Sequence, residues 1–200
     1  RRNIEKNMKN IILQHWTGGL GPLELASKEN IEKYALQCNA KYQLIEGNQF
    51  RSWLSPPCQK LIMLDERFDQ YEDVCMVDMD MFVVKNVKNN IFDVPGVGLN
   101  SATQKTLFAS MLEHKKYKKY MYKDGPFWGG AIWKFTNAQR KQLRKFIVDD
   151  EMKIFTQNYV DEGIIHRLAS QAGLKQIDIP EEWCWGNCFP GYEKAKMIHI

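Results

Sequence analysis

The chain has 200 residues, 44% of them hydrophobic and 12% aromatic, which is apolar surface enough for one substantial core and too little length for two full domains. A formal charge of +4 suits an anionic small molecule or an acidic polymer and falls short of a dedicated nucleic-acid binder. Five scattered cysteines, Cys38, Cys58, Cys75, Cys184 and Cys188, make no disulfide framework. No apolar run reaches the roughly 18 residues of a membrane span, and the Arg-Arg-Asn-Ile-Glu-Lys start has no signal-peptide core, so a soluble, reducing, cytoplasmic-type setting is expected.

In chain order, Asn10 to Trp16 (N-I-I-L-Q-H-W) is an apolar run stopped by the breaker cluster Thr17-Gly18-Gly19-Leu20-Gly21-Pro22, a first strand and a ligand loop. Leu25, Ile31, Tyr34, Ala35 and Cys38 recur at helical spacing between about Leu23 and Asn39, and Tyr42 to Ile45 reads as a second strand. After Ser55-Pro56-Pro57 a helix with Leu61, Leu64 and Phe68 on its apolar face is predicted. Val74 to Val77 lacks alternation, as a parallel strand covered on both faces should, and Met81 to Val84 resumes the apolar character.

Val94 to Asn100 reads as a turn and a strand, Phe108 to Lys123 as a basic, tyrosine-rich helix, and Phe127 to Trp133 as a glycine-bearing strand. Thr136-Asn137 caps a helix predicted to run to about Phe155, and Val160-Asp161-Glu162-Gly163 leads into a short helix through Ala172, closed by Gly173. Lys175 to Ile179 and Met197 to Ile200 look like strands, the latter suggesting one domain, residues 1–200, cut from a longer polypeptide.

Asp78 and Asp80 interrupt an otherwise apolar stretch. An Asp-x-Asp is common by chance, but here it ends a core strand, and period-two geometry points both carboxylates the same way. Unpaired carboxylates there cost several kcal/mol each to desolvate, about as much as only a cation, a strong partner or solvent can offset. In open parallel sheets that strand end is where ligands bind. Mg²⁺ or Mn²⁺ held there can bridge nucleotide phosphates and stabilise a departing diphosphate.

Tyr71 to Val84 (Y-E-D-V-C-M-V-D-M-D-M-F-V-V) resembles the D-x-D segment of glycosyltransferases of the GT-A fold. Asn10 to Trp16 is similar to their first nucleotide-binding strand, Phe127 to Trp133 to their glycine-containing strand beside the sugar, and Val160 to Ile165 to an acidic stretch lining the donor pocket. The resemblance implies a Rossmann-like α/β fold, with a mostly parallel central sheet flanked by helices. It implies that Asp80 binds the metal, that Asp78 contacts the metal or the ribose, and that Gln14, His15, Trp16 and Thr17 flank the nucleotide with Met79. Lys60 would lie near the diphosphate or sugar and Gly129 and Gly130 against the sugar. His199 would be a third metal ligand, its imidazole favouring Mn²⁺ over Mg²⁺. Asp161 and Glu162 are candidates for the carboxylate beside the anomeric carbon, as base or as electrostatic stabiliser.

The leading expectation is therefore a metal-dependent transferase moving a hexose or deoxyhexose from a UDP-sugar donor to a glycan acceptor hydroxyl, with retention, and with no nucleic-acid partner and no membrane span. A metal-dependent nucleotidyltransferase or phosphohydrolase would also use paired carboxylates, and a nucleic-acid module could use the run His114 to Tyr120. His114 and His166 read as helix-surface residues. The tryptophans of Trp183-Cys184-Trp185 suit either core packing or sugar stacking, and the two nearby cysteines are too few for zinc.

Overall fold

The structure is a computed structural model, and residues 8–155, 160–186 and 190–200 are described. Strand β1 (Asn10–Trp16) leads through helix α1 (Pro22–Gln37) to β2 (Ala40–Glu46). Strand β3 (Asp73–Val77) and β5 (Ile132–Thr136) complete a four-stranded sheet in the order β2-β1-β3-β5. The β1–β2 and β1–β3 pairs are parallel and β3–β5 is antiparallel, so the sheet is mostly parallel, as expected. A second sheet, ordered β4-β7-β6, joins β4 (Met81–Val83), β7 (Met197–His199) and β6 (Trp185–Gly186).

Alternation along buried strands makes two cores. Ile12, Cys75, Val77 and Ile132 face α1 through Ile31, Tyr34 and Ala35. Ile11, Leu13, Val74, Met76, Trp133 and Phe135 face the opposite layer. That layer contains the 3₁₀ segment Pro56–Leu64 together with helices α3 (Asn137–Arg144), α4 (Asp149–Met152) and α5 (Val160–Gln171). Both faces are covered, which explains strands without polar alternation.

Several predicted elements are redrawn. The helix after Pro57 is 3₁₀, and Cys58 to Leu64 are buried all round rather than along one stripe, a helix sunk into the core. The helix from Thr136 has its predicted cap, which the structure shows as a capping box, with Thr136 Oγ1 accepting from the Gln139 amide at 3.1 Å and Gln139 Oε1 accepting from the Thr136 amide at 2.9 Å. It stops at Arg144, however, where the β-branched pair Ile147-Val148 follows and Val148 is extended.

Helix α2 (Ala102–Glu113) begins earlier than predicted and gives way to turns over 115–120. The strands expected at Val94 to Asn100 and Lys175 to Ile179 reduce to a single bridge, Gly98 to Asp178, because Pro95 and Gly96, at φ 101°, break the ladder. Phe127 to Trp133 becomes a strand only at Ile132. Its earlier peptides bond elsewhere: Gly129 donates to the Leu99 carbonyl at 2.8 Å and Gly130 to Glu162 Oε1 at 3.0 Å. Cys38, Cys58, Cys75 and Cys184 carry free thiols, and Cys188 lies outside the described residues. Among the described residues no helix is long and apolar enough to cross a membrane.

Candidate active site

Strand β3 ends at Val77, and Asp78-Met79-Asp80 is a turn rather than a continuation of the strand, with the Met81 amide donating to the Asp78 carbonyl at 3.2 Å. The turn carries the chain from the first sheet into the second, at the carboxyl end of the parallel strands, where an open sheet leaves its ligand crevice.

Polar residues that the sequence reading did not single out hold this turn. Ser27 is wholly buried on the α1 face and its hydroxyl donates to the Met81 carbonyl at 2.7 Å, while Asn30 makes two bonds with the Val83 backbone, at 2.7 and 3.0 Å. Gln14 completes the clamp. Its amide donates to Ser27 Oγ at 2.9 Å and to the Asp78 carbonyl at 3.0 Å, and its carbonyl accepts from the Tyr42 hydroxyl at 2.9 Å. Gln14 was expected beside the ribose, but it is wholly buried with these groups engaged, so it supports the D-x-D turn from behind. The sequence signal was available: Ser27 and Asn30 sit at helical spacing with Ile31 and Tyr34, polar residues inside an apolar stripe.

Two clefts meet at the turn. One, with about 720 Å³ of open space, is lined by His15, Trp16, Thr17, Lys60, Asp78, Met79 and Asp80, together with Leu23, Glu24, Pro56 and Pro57. The other, with about 1600 Å³, is lined by Lys60, Asp78, Gly129, Gly130, Asp161, Glu162 and His199, and also by Ser101, Gln104, Glu181, Cys184 and Trp185. Apart from Gln14, every residue expected at the nucleotide-sugar, metal or catalytic site thus lines one cleft or both. Trp183 is buried in the core, whereas Trp185 lines the larger cleft.

Lys60 closes one side of Asp78. Its ammonium lies 2.8 Å from Asp78 Oδ1 and 2.9 Å from Asp161 Oδ2, and it donates to the Gly130 carbonyl at 2.8 Å. Burial pushes its pKa down, but the two carboxylates push it up further, so the lysine stays charged. It is no solvated helix lysine. Gly130 is held at both ends, its carbonyl by Lys60 and its amide by Glu162, and a Cβ there would overlap Asp161 Oδ2.

The other side of Asp78 is open. One ligand atom each from Asp78, Asp80 and His199 lie within 4.8 Å of one another. His199 Nε2 stands 3.2 Å from the buried Asp80 Oδ1, and this contact raises the imidazole pKa. Two carboxylates and an imidazole fit a divalent cation, with the imidazole favouring Mn²⁺ over Mg²⁺.

Asp161 and Glu162 open α5 and are each about 5% exposed. Burial, then the neighbouring Asp161, push the Glu162 carboxyl up to about 8, and its Oε2 has no partner among the described residues. One turn on, His166 is fully buried rather than on the helix surface, since that face of α5 packs on the 122–130 segment. Its Nδ1 pairs with the Pro126 carbonyl at 2.7 Å and its Nε2 accepts from the Tyr122 amide at 2.9 Å, while burial pushes the imidazole down to about 4. The i, i+4 pair Glu162 and His166 thereby sets the register of the segment that delivers Gly129 and Gly130. In the smaller cleft, His15 Nε2 pairs with the Gly47 carbonyl at 2.9 Å and burial lowers its pKa.

No family model matches the chain, and no curated protein matches it by sequence. Its fold is similar to that in the crystal structure of a glycosyltransferase involved in the glycosylation of the major capsid of PBCV-1. The match covers 95% of this chain and 92% of that one, with a TM-score of 0.62. The fold is GT-A-like. At 10% identity the likeness is one of architecture, and it agrees with the resemblance that the sequence bears to GT-A-fold D-x-D glycosyltransferases, among them the N-terminal domain of a multidomain chlorovirus enzyme. The smaller cleft lies at the end of β1, and the larger where the glycine-bearing segment meets the start of α5.

Proposed function

We propose that the chain is a metal-dependent glycosyltransferase that takes a hexose or deoxyhexose from a UDP-sugar and transfers it to a glycan hydroxyl. The observation that carries the reading is the Asp78, Asp80 and His199 set, three ligands drawn together at the junction of two clefts, with His199 Nε2 3.2 Å from a buried Asp80 oxygen. Asp78, Asp80 and His199 would hold Mn²⁺ or Mg²⁺. Such an ion, when bound, neutralises the charge that gathers on the departing diphosphate. His15, Trp16, Thr17 and Met79 line a space suited to the nucleoside, and Lys60 adds a fixed positive charge where the two clefts join.

In the larger cleft, Gly129 and Gly130 allow close approach of a sugar ring to backbone, and Asp161 presents negative charge to a developing oxocarbenium-like centre. Asp161 is tied to Lys60 at 2.9 Å, and Glu162, with its pKa raised to about 8, holds its proton.

The test is a panel of nucleoside diphosphate sugars, with and without Mn²⁺, read by thermal shift and by nucleoside diphosphate release. A UDP-sugar at 100 times its Kd is expected to stabilise by about 2.7 kcal/mol, only with metal, and slow release of UDP should accompany it. Pyrophosphate release from a nucleoside triphosphate, with no response to any sugar nucleotide, would replace this reading with nucleotidyl transfer.

A further inference from the structure

We propose that the turn following α2 is a docking surface for an anionic phospholipid bilayer. The segment 113–124 holds five lysines, Lys115, Lys116, Lys118, Lys119 and Lys123, against Glu113 and Asp124. Lys115, Lys118, Lys119 and Lys123 are exposed, and among the described residues no carboxylate lies within ion-pair distance of any of these four. By contrast, the acids of neighbouring α4 are all paired: Asp149 with Arg51 at 2.9 Å, Asp150 with Lys153 at 2.9 Å and Glu151 with Arg167 at 2.5 Å. The positive excess of this face is therefore concentrated in the lysine turn.

The turn is anchored from below. Tyr117 and Met121 are buried, the amides of Tyr117 and Lys118 both donate to the His114 carbonyl, at 3.0 and 2.9 Å, and the Tyr122 amide donates to buried His166. A rigid support that displays mutually repelling ammonium groups makes sense when an extended negative surface faces them. Each lysine close to an anionic leaflet contributes about 1 kcal/mol.

The rings decide between a bilayer and a nucleic acid. Single-stranded nucleic acid needs aromatic faces on which bases stack. Here those faces are engaged: Tyr117 stacks with His114 at 4.8 Å and Phe155 at 5.5 Å, and Tyr120 has Lys119 at 4.8 Å and Arg167 at 5.3 Å over its ring. A bilayer interface asks instead for amphipathic side chains beside cations. Tyr122 is 40% exposed, and Arg167, which stacks on it, lines a small cleft with Val148, itself 49% exposed. Ser101, which caps α2, and Gln104 in its first turn line the larger cleft, and the helix's 12 residues place the lysine turn roughly 18 Å from that cleft.

Co-sedimentation of the whole chain with vesicles tests this, using phosphatidylcholine alone or mixed with phosphatidylserine, at low and high NaCl. Binding is expected to the phosphatidylserine vesicles only, and to fall by about tenfold or more at high salt. The variant K115E/K118E/K119E/K123E should lose it. K33E/K41E/K85E/K88E, an equal charge change on other exposed lysines, should keep it, and Tyr122→Ser should weaken it at constant charge. An unchanged melting temperature for the first variant shows that the fold survives, and the milder K118S/K119S should give a partial loss. The proposal is overturned if phosphatidylcholine binds as well, if both quadruple variants behave alike, or if the chain retains an oligonucleotide through these lysines while ignoring vesicles.

Discussion

The two sides of Asp78 make opposite use of similar chemistry. Toward Lys60, the ammonium lies between Asp78, Asp161 and the Gly130 carbonyl, all at 2.8 to 2.9 Å, and the cluster is closed. Toward His199, the Asp78 and Asp80 carboxylates and an imidazole converge, with His199 Nε2 3.2 Å from Asp80 Oδ1. A closed cluster fixes the backbone, because losing Lys60 would leave two buried carboxylates facing each other. An open cluster contributes little to the fold and keeps its donors for something that comes from solution. One aspartate shared by both couples the framework of the site to its ligand seat.

Breaking the closed side has the largest expected effect. Lys60→Met keeps most of the side-chain volume and leaves Asp78 and Asp161 facing each other without a cation, which should cost about 3–5 kcal/mol, read as a fall in urea midpoint. Adding Asp161→Asn removes one of the stranded charges and should recover part of that loss. If the single variant unfolds at the parent midpoint, the Lys60 cluster does not brace the fold.

How much of this was legible from residues alone follows the same division. The D-x-D motif, the glycines and the acidic start of α5 are chemically conspicuous, and in the structure they line one cleft or the other. Strand β1 was bounded correctly because an apolar run ends at a glycine-rich breaker. What pattern reading could not supply was partnership across the chain. Lys60 and Asp161 are 101 positions apart, and nothing local distinguishes a triply bonded lysine from a solvated one. His166 looked like a surface residue for the same reason, since only the fold of 122–130 onto α5 buries it. The 3₁₀ segment and the interrupted helix after Arg144 were missed because periodicity reports an apolar face, not hydrogen-bond spacing.

Opening the comparison from the other side gives a smaller effect of different kind. Asp80→Asn and His199→Ala should leave metal-free stability within about 0.5 kcal/mol of the parent, as expected for substitutions away from essential packing. Both should remove the Mn²⁺-dependent part of the stabilisation, about 2.7 kcal/mol at 100 times the Kd. Calorimetric melts with and without Mn²⁺ separate the two quantities. A variant that melts early yet still responds to Mn²⁺ would reverse the roles assigned to the two sides.

The smallest expected effect concerns Glu162, which borders the closed cluster through Gly130. Its folded pKa of about 8 lies above the ordinary carboxyl value, so the folded state holds a proton that the unfolded chain has released by neutral pH. The stabilisation from this group is complete below the unfolded pKa and is lost as pH rises toward 8. Between pH 5 and 7 the slope is at most about 1.4 kcal/mol per unit, and some relaxation around the charged form brings the expected loss to about 2 kcal/mol. Glu162→Gln cannot titrate and keeps an acceptor for the Gly130 amide, so its stability should stay flat relative to the parent over that range. The difference between the two urea-denaturation curves, measured from pH 5 to 8, isolates the carboxyl from every other titrating group. Parallel curves would mean that Glu162 is ionised in the fold, and would restore it as a base able to activate an acceptor hydroxyl.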